Sequence, residues 1–337
     1  MREVDFHGVS STSLTRSPAR MAARRPRVGG RRRWPHADRS FEFGTLAFAL
    51  GVIAITLVVA GVLFHSSAAA RDRYGWSFLW TSTWDPVQLE FGALPFIYGT
   101  LATSAIAVAI ALPLGLLAAV CLAELLPTRL SDPLAFLIEL LVAVPSVVYG
   151  LVGVFVLVPI MRSIENAVLP VLGSIPLFAG PVYGIGLLTA GVLLAIMIVP
   201  FIVSVSREVL LAVPQSQRDA ALALGSTRWE TVWHVVVPYA RSGILGSVFL
   251  ALARALGETM AVTMVIGNRP DISASLFAPA HTMAAVLANE FAEADSNLYL
   301  SALIDIAFVL FGITIVVNGI ARLLIAATTN RATEVRG

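Results

Sequence analysis

The chain has 337 residues, of which 57% are hydrophobic and 13% charged, with a formal net charge of +2. A soluble domain carries about 25% charged residues, so this composition, with a mean hydropathy of +0.83, leaves a polytopic membrane protein. All 23 basic residues are arginine. Without lysine there is no P-loop ligand for a nucleotide phosphate and no imine-forming nucleophile. The single cysteine, Cys121, excludes an internal disulfide, and no two of the five histidines stand at i, i+4. No metal and no cofactor is therefore expected on this chain.

Taken in chain order, residues 1–41 carry ten arginines against Glu3, Asp5 and Asp38 in Ser, Pro and Gly-rich sequence. They are read as a disordered basic cytoplasmic tail that is drawn to anionic headgroups rather than to nucleic acid. A helix needs about 20 apolar residues to cross roughly 30 Å of hydrocarbon. Six stretches meet that length: 43–64, 96–123, 134–160, 182–206, 243–267 and 298–326. The resulting organisation is a first anchor at 42–66, an extracytoplasmic segment at 67–95 and a five-helix core at 96–326. A tail at 327–337 closes the chain. Trp76, Trp80 and Trp84 in the extracytoplasmic segment read as interfacial anchors. The stretch from Met161 to Pro181, broken by prolines, reads as interfacial or re-entrant. Eighteen arginines fall on one side of the spans, four on the other and one, Arg254, within a span, which predicts both termini in the cytoplasm.

The cytoplasmic loop at 207–240 carries the strongest pattern. Pro214 is suited to opening a helix, Ala220 to Leu224 favour one, and Gly225 suits its left-handed cap. The expected product is a short exposed helix pinned between two membrane helices, fitted to a groove on a soluble partner. Asp219-Ala220-Ala221, Gly225, Val235 and Val237-Pro238 resemble the EAA loop of ABC importer permeases. The spacing is that of Glu-Ala-Ala, three residues, Gly, nine residues, Ile, one residue, Leu-Pro. Aspartate stands for the glutamate, and valine for the isoleucine and the leucine.

Longer stretches resemble the permease core of the phosphate-specific ABC importer, in its PstC-type subunit more than in its PstA-type subunit. They are residues 91–100, Ala143 to Leu151, Arg254 to Val262, 266–277 and Ala288 to Phe291. The resemblance implies the all-α, six-helix architecture of type I importer permeases in the bacterial cytoplasmic membrane. It also implies a PstA-like permease as heterodimer partner, two copies of a PstB-like ATPase beneath it and a PstS-like phosphate-binding protein outside. The chain itself is then a transport subunit and not an enzyme, with Asp219, Ala220, Ala221, Gly225 and Pro238 as the ATPase-coupling residues. Permeases for molybdate, tungstate or sulfate share the EAA loop. An intramembrane protease would need Gly-x-Ser-Gly, Gly-x-Gly-Asp or His-Glu-x-x-His, and none of these occurs.

Glu139, Arg254, Glu258 and Asp305 fall within the expected spans. An arginine at the centre of a membrane helix costs about 2.5–3.5 kcal/mol on insertion scales, so Arg254 should face a partner or an aqueous path. At i, i+4, Arg254 and Glu258 would be neighbours on one helix face. They read either as a structural ion pair or as the cation met by a passing anion with its resting partner. The resemblance implies the second. Thr259 and Thr263 share the region and either line the path or bond back to their own helix.

Overall fold

The computed structural model describes the backbone of residues 35–334 and the side chains of residues 41–327. The basic tail up to residue 34 lies outside that range. The described residues fall into two compact units that divide between Ile55 and Thr56. Helix α1 (Pro35–Ser66) begins seven residues before the expected anchor, so the last part of the expected tail is helical. Helix α2 (Ala68–Tyr74) and a 3₁₀ turn (Gly75–Leu79) follow. Between the tryptophans and the next span the chain makes a small antiparallel hairpin, β1 (Trp84–Asp85) on β2 (Glu90–Phe91), which the all-α reading lacked.

The membrane core opens with α3 (Leu94–Val120), extended by a π-helical turn at Cys121–Leu125. After α4 (Thr128–Val142), helices α5 (Ser146–Val152) and α6 (Val158–Leu172) run on through a second π-turn. Next come α7 (Leu187–Leu211), the short α8 (Gln215–Ala223) and α9 (Arg228–Thr231). A third π-turn (Val232–Val236) leads from α9 into α10 (Val237–Leu256). Two short helices, α11 (Met260–Thr263) and α12 (Met283–Glu290), precede the long α13 (Asn297–Glu334). Among the described residues six helices are long and apolar enough to cross a membrane, as the composition predicts. The C-terminal segment stays helical to Glu334 rather than ending as a tail at 327.

The third span lies elsewhere than expected. The apolar run 134–160 joins two helices that Pro145 separates, because proline has no N–H and its own ψ of 139° is extended. Helix α4, with 15 residues or about 22 Å, is too short to cross. The crossing helix is Ser146–Leu172. The stretch from Met161 to Leu172, expected to be interfacial, is its second half, and Glu139 sits exposed on α4 outside any span.

Three buried clusters hold the second unit together. The central one packs α3 on α7, with Ala107, Ala111, Leu193, Ile198 and Ile202 at its heart. Small residues bring the backbones close, as membrane packing favours. A Cβ on Gly191 would lie 2.5 Å from Ile106, and one on Gly115 2.8 Å from Ile202. At one end of the helices is an aromatic cluster in which Trp84 stands 4.8 Å from both Phe91 and Phe96. The three tryptophans thus part ways: Trp76 and Trp80 are exposed, while Trp84 is partly buried against the aromatic cluster and donates to Glu290 Oε2 at 2.9 Å. At the other end Val203, Leu210, Val213, Val232 and Val236 gather beside α8 and α9. Glu165 on α6 is fully buried and accepts the Gly184 N–H at 3.0 Å, fastening α6 to the segment before α7.

Candidate functional site

The loop between α7 and α10 folds as its residues dictate. Pro214 precedes α8 in an extended conformation, and α8 runs Gln215–Ala223. Gly225 then turns the chain with φ +92°. Its N–H donates to Leu222 O at 3.0 Å and the Ser226 N–H donates to Ala221 O at 3.2 Å, which together form a Schellman cap. Thr227 and Glu230 close a capping box at the start of α9, with the Thr227 N–H donating to Glu230 Oε2 at 2.8 Å. Asp219, Ala220, Leu222 and Leu224 face solvent, Leu224 at 88% exposure, whereas Ala221 is buried. Pro238 enters α10 directly after the π-turn, whose wider backbone spares the clash a proline ring makes with the carbonyl four residues back.

One residue at the centre of this element was assigned only to the arginine bias. Arg218, one turn before Ala221 on the same buried face, is bidentate on Glu124, at 2.6 Å through Nη2 and 3.2 Å through Nε. Its Nη2 also donates to Leu210 O at 2.9 Å, and its Nη1 donates to Val213 O. Both side chains are nearly nine-tenths buried. Arg218 therefore satisfies carbonyls at the C-terminal end of α7 while tying α8 to the π-turn that ends α3. The i, i+3 spacing from Arg218 to Ala221 is the only trace in the sequence, since Glu124 lies 94 residues away.

The charged site is also reshaped. Helix α10 ends at Leu256, and Gly257 leads into a non-helical break before α11. Arg254 and Glu258 are thus not successive turns of one helix, and among the described residues no ion pair joins them. Glu258 Oε1 instead accepts the Ala261 N–H at 3.3 Å, at the start of α11. Arg254 lies in the last turn of α10, where the helix dipole favours a cation, and its Nε is buried without a protein partner. Thr259 Oγ1 donates to Gly257 O at 3.2 Å and Thr263 Oγ1 to Thr259 O at 2.8 Å, so each hydroxyl proton is used on the backbone.

Helix α5 presses on this break from the side. A Cβ on Gly150 would meet Met264 Sδ at 2.5 Å and Ala261 Cα at 3.2 Å. Tyr149, one residue earlier, donates its hydroxyl to Leu141 O at 2.8 Å. That carbonyl would normally receive the N–H of residue 145, which proline lacks. The Pro145 bend is therefore braced by one tyrosine, next to the close approach of Gly150 to α11. Asp305 is buried on α13, and Glu290 accepts hydrogen bonds from both Trp84 and Tyr299, the latter at 2.6 Å.

Residues 111–330 match the family described as binding-protein-dependent transport system inner membrane component. The phosphate transport system permease protein PstC of Mesorhizobium japonicum is 47% identical over 90% of this chain and 94% of its own. PstC of Xylella fastidiosa is 46% identical over 86% and 90%. PstC 2 of Mycobacterium tuberculosis is 38% identical over 83% and 88%. Among solved structures, a chain of the MetNI methionine ABC transporter in an inward-facing conformation aligns with a TM-score of 0.54. It has 16% identity and covers 73% of this chain and 99% of that one, a likeness of fold.

Proposed function

This chain belongs to the family of binding-protein-dependent transport system inner membrane components, and from that membership we propose that it is a PstC-type permease subunit that passes inorganic phosphate through the cytoplasmic membrane. The observation that carries this reading is the likeness, over nine-tenths of the chain, to relatives named as phosphate transport permeases. The coupling helix and the unpaired arginine supply its mechanism. A separate PstB-like ATPase, in two copies, docks on the exposed face of α8 formed by Asp219, Ala220 and Leu222. A PstA-like permease completes the path, and a PstS-like protein delivers phosphate from outside. Both termini lie in the cytoplasm.

Nucleotide-driven movement of α8 is passed into α7 and α3 through Arg218, which holds all three. In the path, Arg254 is the group that meets the anion. Its guanidinium has donors to spare, and a planar fork suits phosphate oxygens. Thr259 and Thr263 form wall and not ligand, because a hydroxyl whose proton is already donated presents lone pairs to an anion. Glu258, at the break, accepts a hydrogen bond from the hydroxyl that phosphate still carries near neutral pH and sulfate lacks.

The test is reconstitution with the partner subunits and measurement of ATP-dependent uptake of phosphate, sulfate and molybdate. Phosphate uptake alone is expected. Arg254→Gln should abolish it with assembly intact, and Glu258→Gln, assayed without the binding protein, should narrow the preference over sulfate. Equal uptake of sulfate or molybdate by the native complex overturns the phosphate assignment.

A further inference from the structure

A cavity of about 340 Å³ opens where the end of α1 and helix α2 meet α13, lined by Phe64, Arg71, Trp76, Asp305, Phe308 and Val309 among others. Its walls are rings and aliphatic carbon, yet two opposite charges face it. Arg71 lays its guanidinium over the Phe64 ring at 3.5 Å and donates to Phe64 O, while its Nε is buried with no partner. Asp305 is 4% exposed. Among the described residues no ion pair joins Arg71 and Asp305, so the cavity keeps a cation and a carboxyl apart. A further bond, from the Ala70 N–H to Ser301 Oγ at 3.0 Å, fixes α2 against α13 and holds that separation.

The cavity lies towards one end of both the first and the last span. Phe64 is two residues before the end of the first span, and Asp305 is eight residues into the last, about 12 Å along its axis. Trp76, exposed at the rim, is a residue type that gathers at the membrane interface. An apolar slot at that depth takes up hydrocarbon, and its two charges ask for a ligand carrying both signs. An anionic lipid would satisfy Arg71 and set its charge against Asp305. A zwitterion satisfies both, and a primary ammonium adds hydrogen bonds to the carboxyl that a quaternary one cannot make.

We propose that this cavity holds the headgroup of a zwitterionic aminophospholipid, its phosphate on Arg71 and its primary ammonium on Asp305, with the acyl chains running along Phe308 and Val309. The lipid would brace α2 against α13 without entering the transport path.

The complex with its partner subunits, in nanodiscs of phosphatidylcholine with equal parts phosphatidylethanolamine and phosphatidylglycerol, is transferred to detergent and its retained lipid read by native mass spectrometry. Retention of phosphatidylethanolamine over phosphatidylglycerol by about tenfold is expected, the effect of one charge-assisted contact. Arg71→Gln, which removes the contact to the phosphate that both lipids carry, should lower total retention. Asp305→Asn should let phosphatidylglycerol compete while total retention holds. Val309→Trp, which fills the slot and leaves both charges, should expel the lipid, and it keeps the test decisive if Arg71→Gln does not assemble. Enrichment of phosphatidylglycerol, displacement of the lipid by millimolar inorganic phosphate, or retention unchanged by Val309→Trp overturns the proposal.

Discussion

Arg218 does more than its place in the charge bias predicts. Removing one partner of a buried pair leaves the other charge uncompensated, at a cost of about 3 kcal/mol. Arg218→Gln and Glu124→Gln should each lower the unfolding temperature of the complex and weaken the dependence of ATP hydrolysis on delivered phosphate. Because the two residues act together, the double variant should be little worse than either single one. Losses that simply add would show that the pair is not a unit. His281 offers a second test at this scale. It is buried, and burial pushes its imidazole from the ordinary 6.5 down to about 4. The unfolded chain therefore binds the proton first. Its contribution is present in full above about pH 6.5 and is lost as pH falls towards 4, by at most about 1.4 kcal/mol per pH unit. Thermal unfolding of the complex across that range should fall with acid, and His281→Gln should flatten the slope. An equal slope in the variant would assign the acid sensitivity to another group.

Among the elements, α8 was the most legible. Pro214, the helix formers and Gly225 lie within twelve residues, and each acts through its own backbone, so local chemistry suffices to place them. Gly225 is a conformational requirement alone, since a Cβ there meets nothing within 4 Å while φ is +92°. Gly225→Asn, which tolerates left-handed backbone, should therefore retain most uptake. Gly225→Val should hydrolyse ATP without matching transport, and equal uptake by both variants would remove the cap from the coupling mechanism. The third span and the Arg254–Glu258 pair were less legible for a common reason. Hydropathy adds residues along the chain and does not register where the backbone turns. Pro145 divides one apolar run into α4 and a crossing helix. Gly257 divides another, so two residues spaced for a helix face are parted by a break. The π-turn before Pro238 left no mark in the apolar pattern either.

For the whole molecule, the arginine distribution makes a prediction about sidedness. With Cys121 the only cysteine, Cys121→Ala gives a background for single-cysteine labelling in intact cells. A cysteine at exposed Ser77 or Asp271 should react with a membrane-impermeant maleimide. One at Ser216 on α8 should react only after permeabilisation, and labelling of Ser216→Cys from outside would reverse the orientation. The membrane class, the number of spans, the short helix α8 and the family resemblance were all legible in the residues alone. These rest on composition, on runs of apolar length and on motifs whose residues act within a few positions of one another. What the charges do depended on the folded arrangement. It paired Arg218 with Glu124, left Arg254 without a carboxylate, buried Glu165 against a backbone N–H and set Arg71 and Asp305 on opposite sides of one cavity. A buried charge is settled by whichever group the fold brings within a few ångströms, and here those groups come from distant parts of the chain or from the turn of backbone that keeps a near neighbour away.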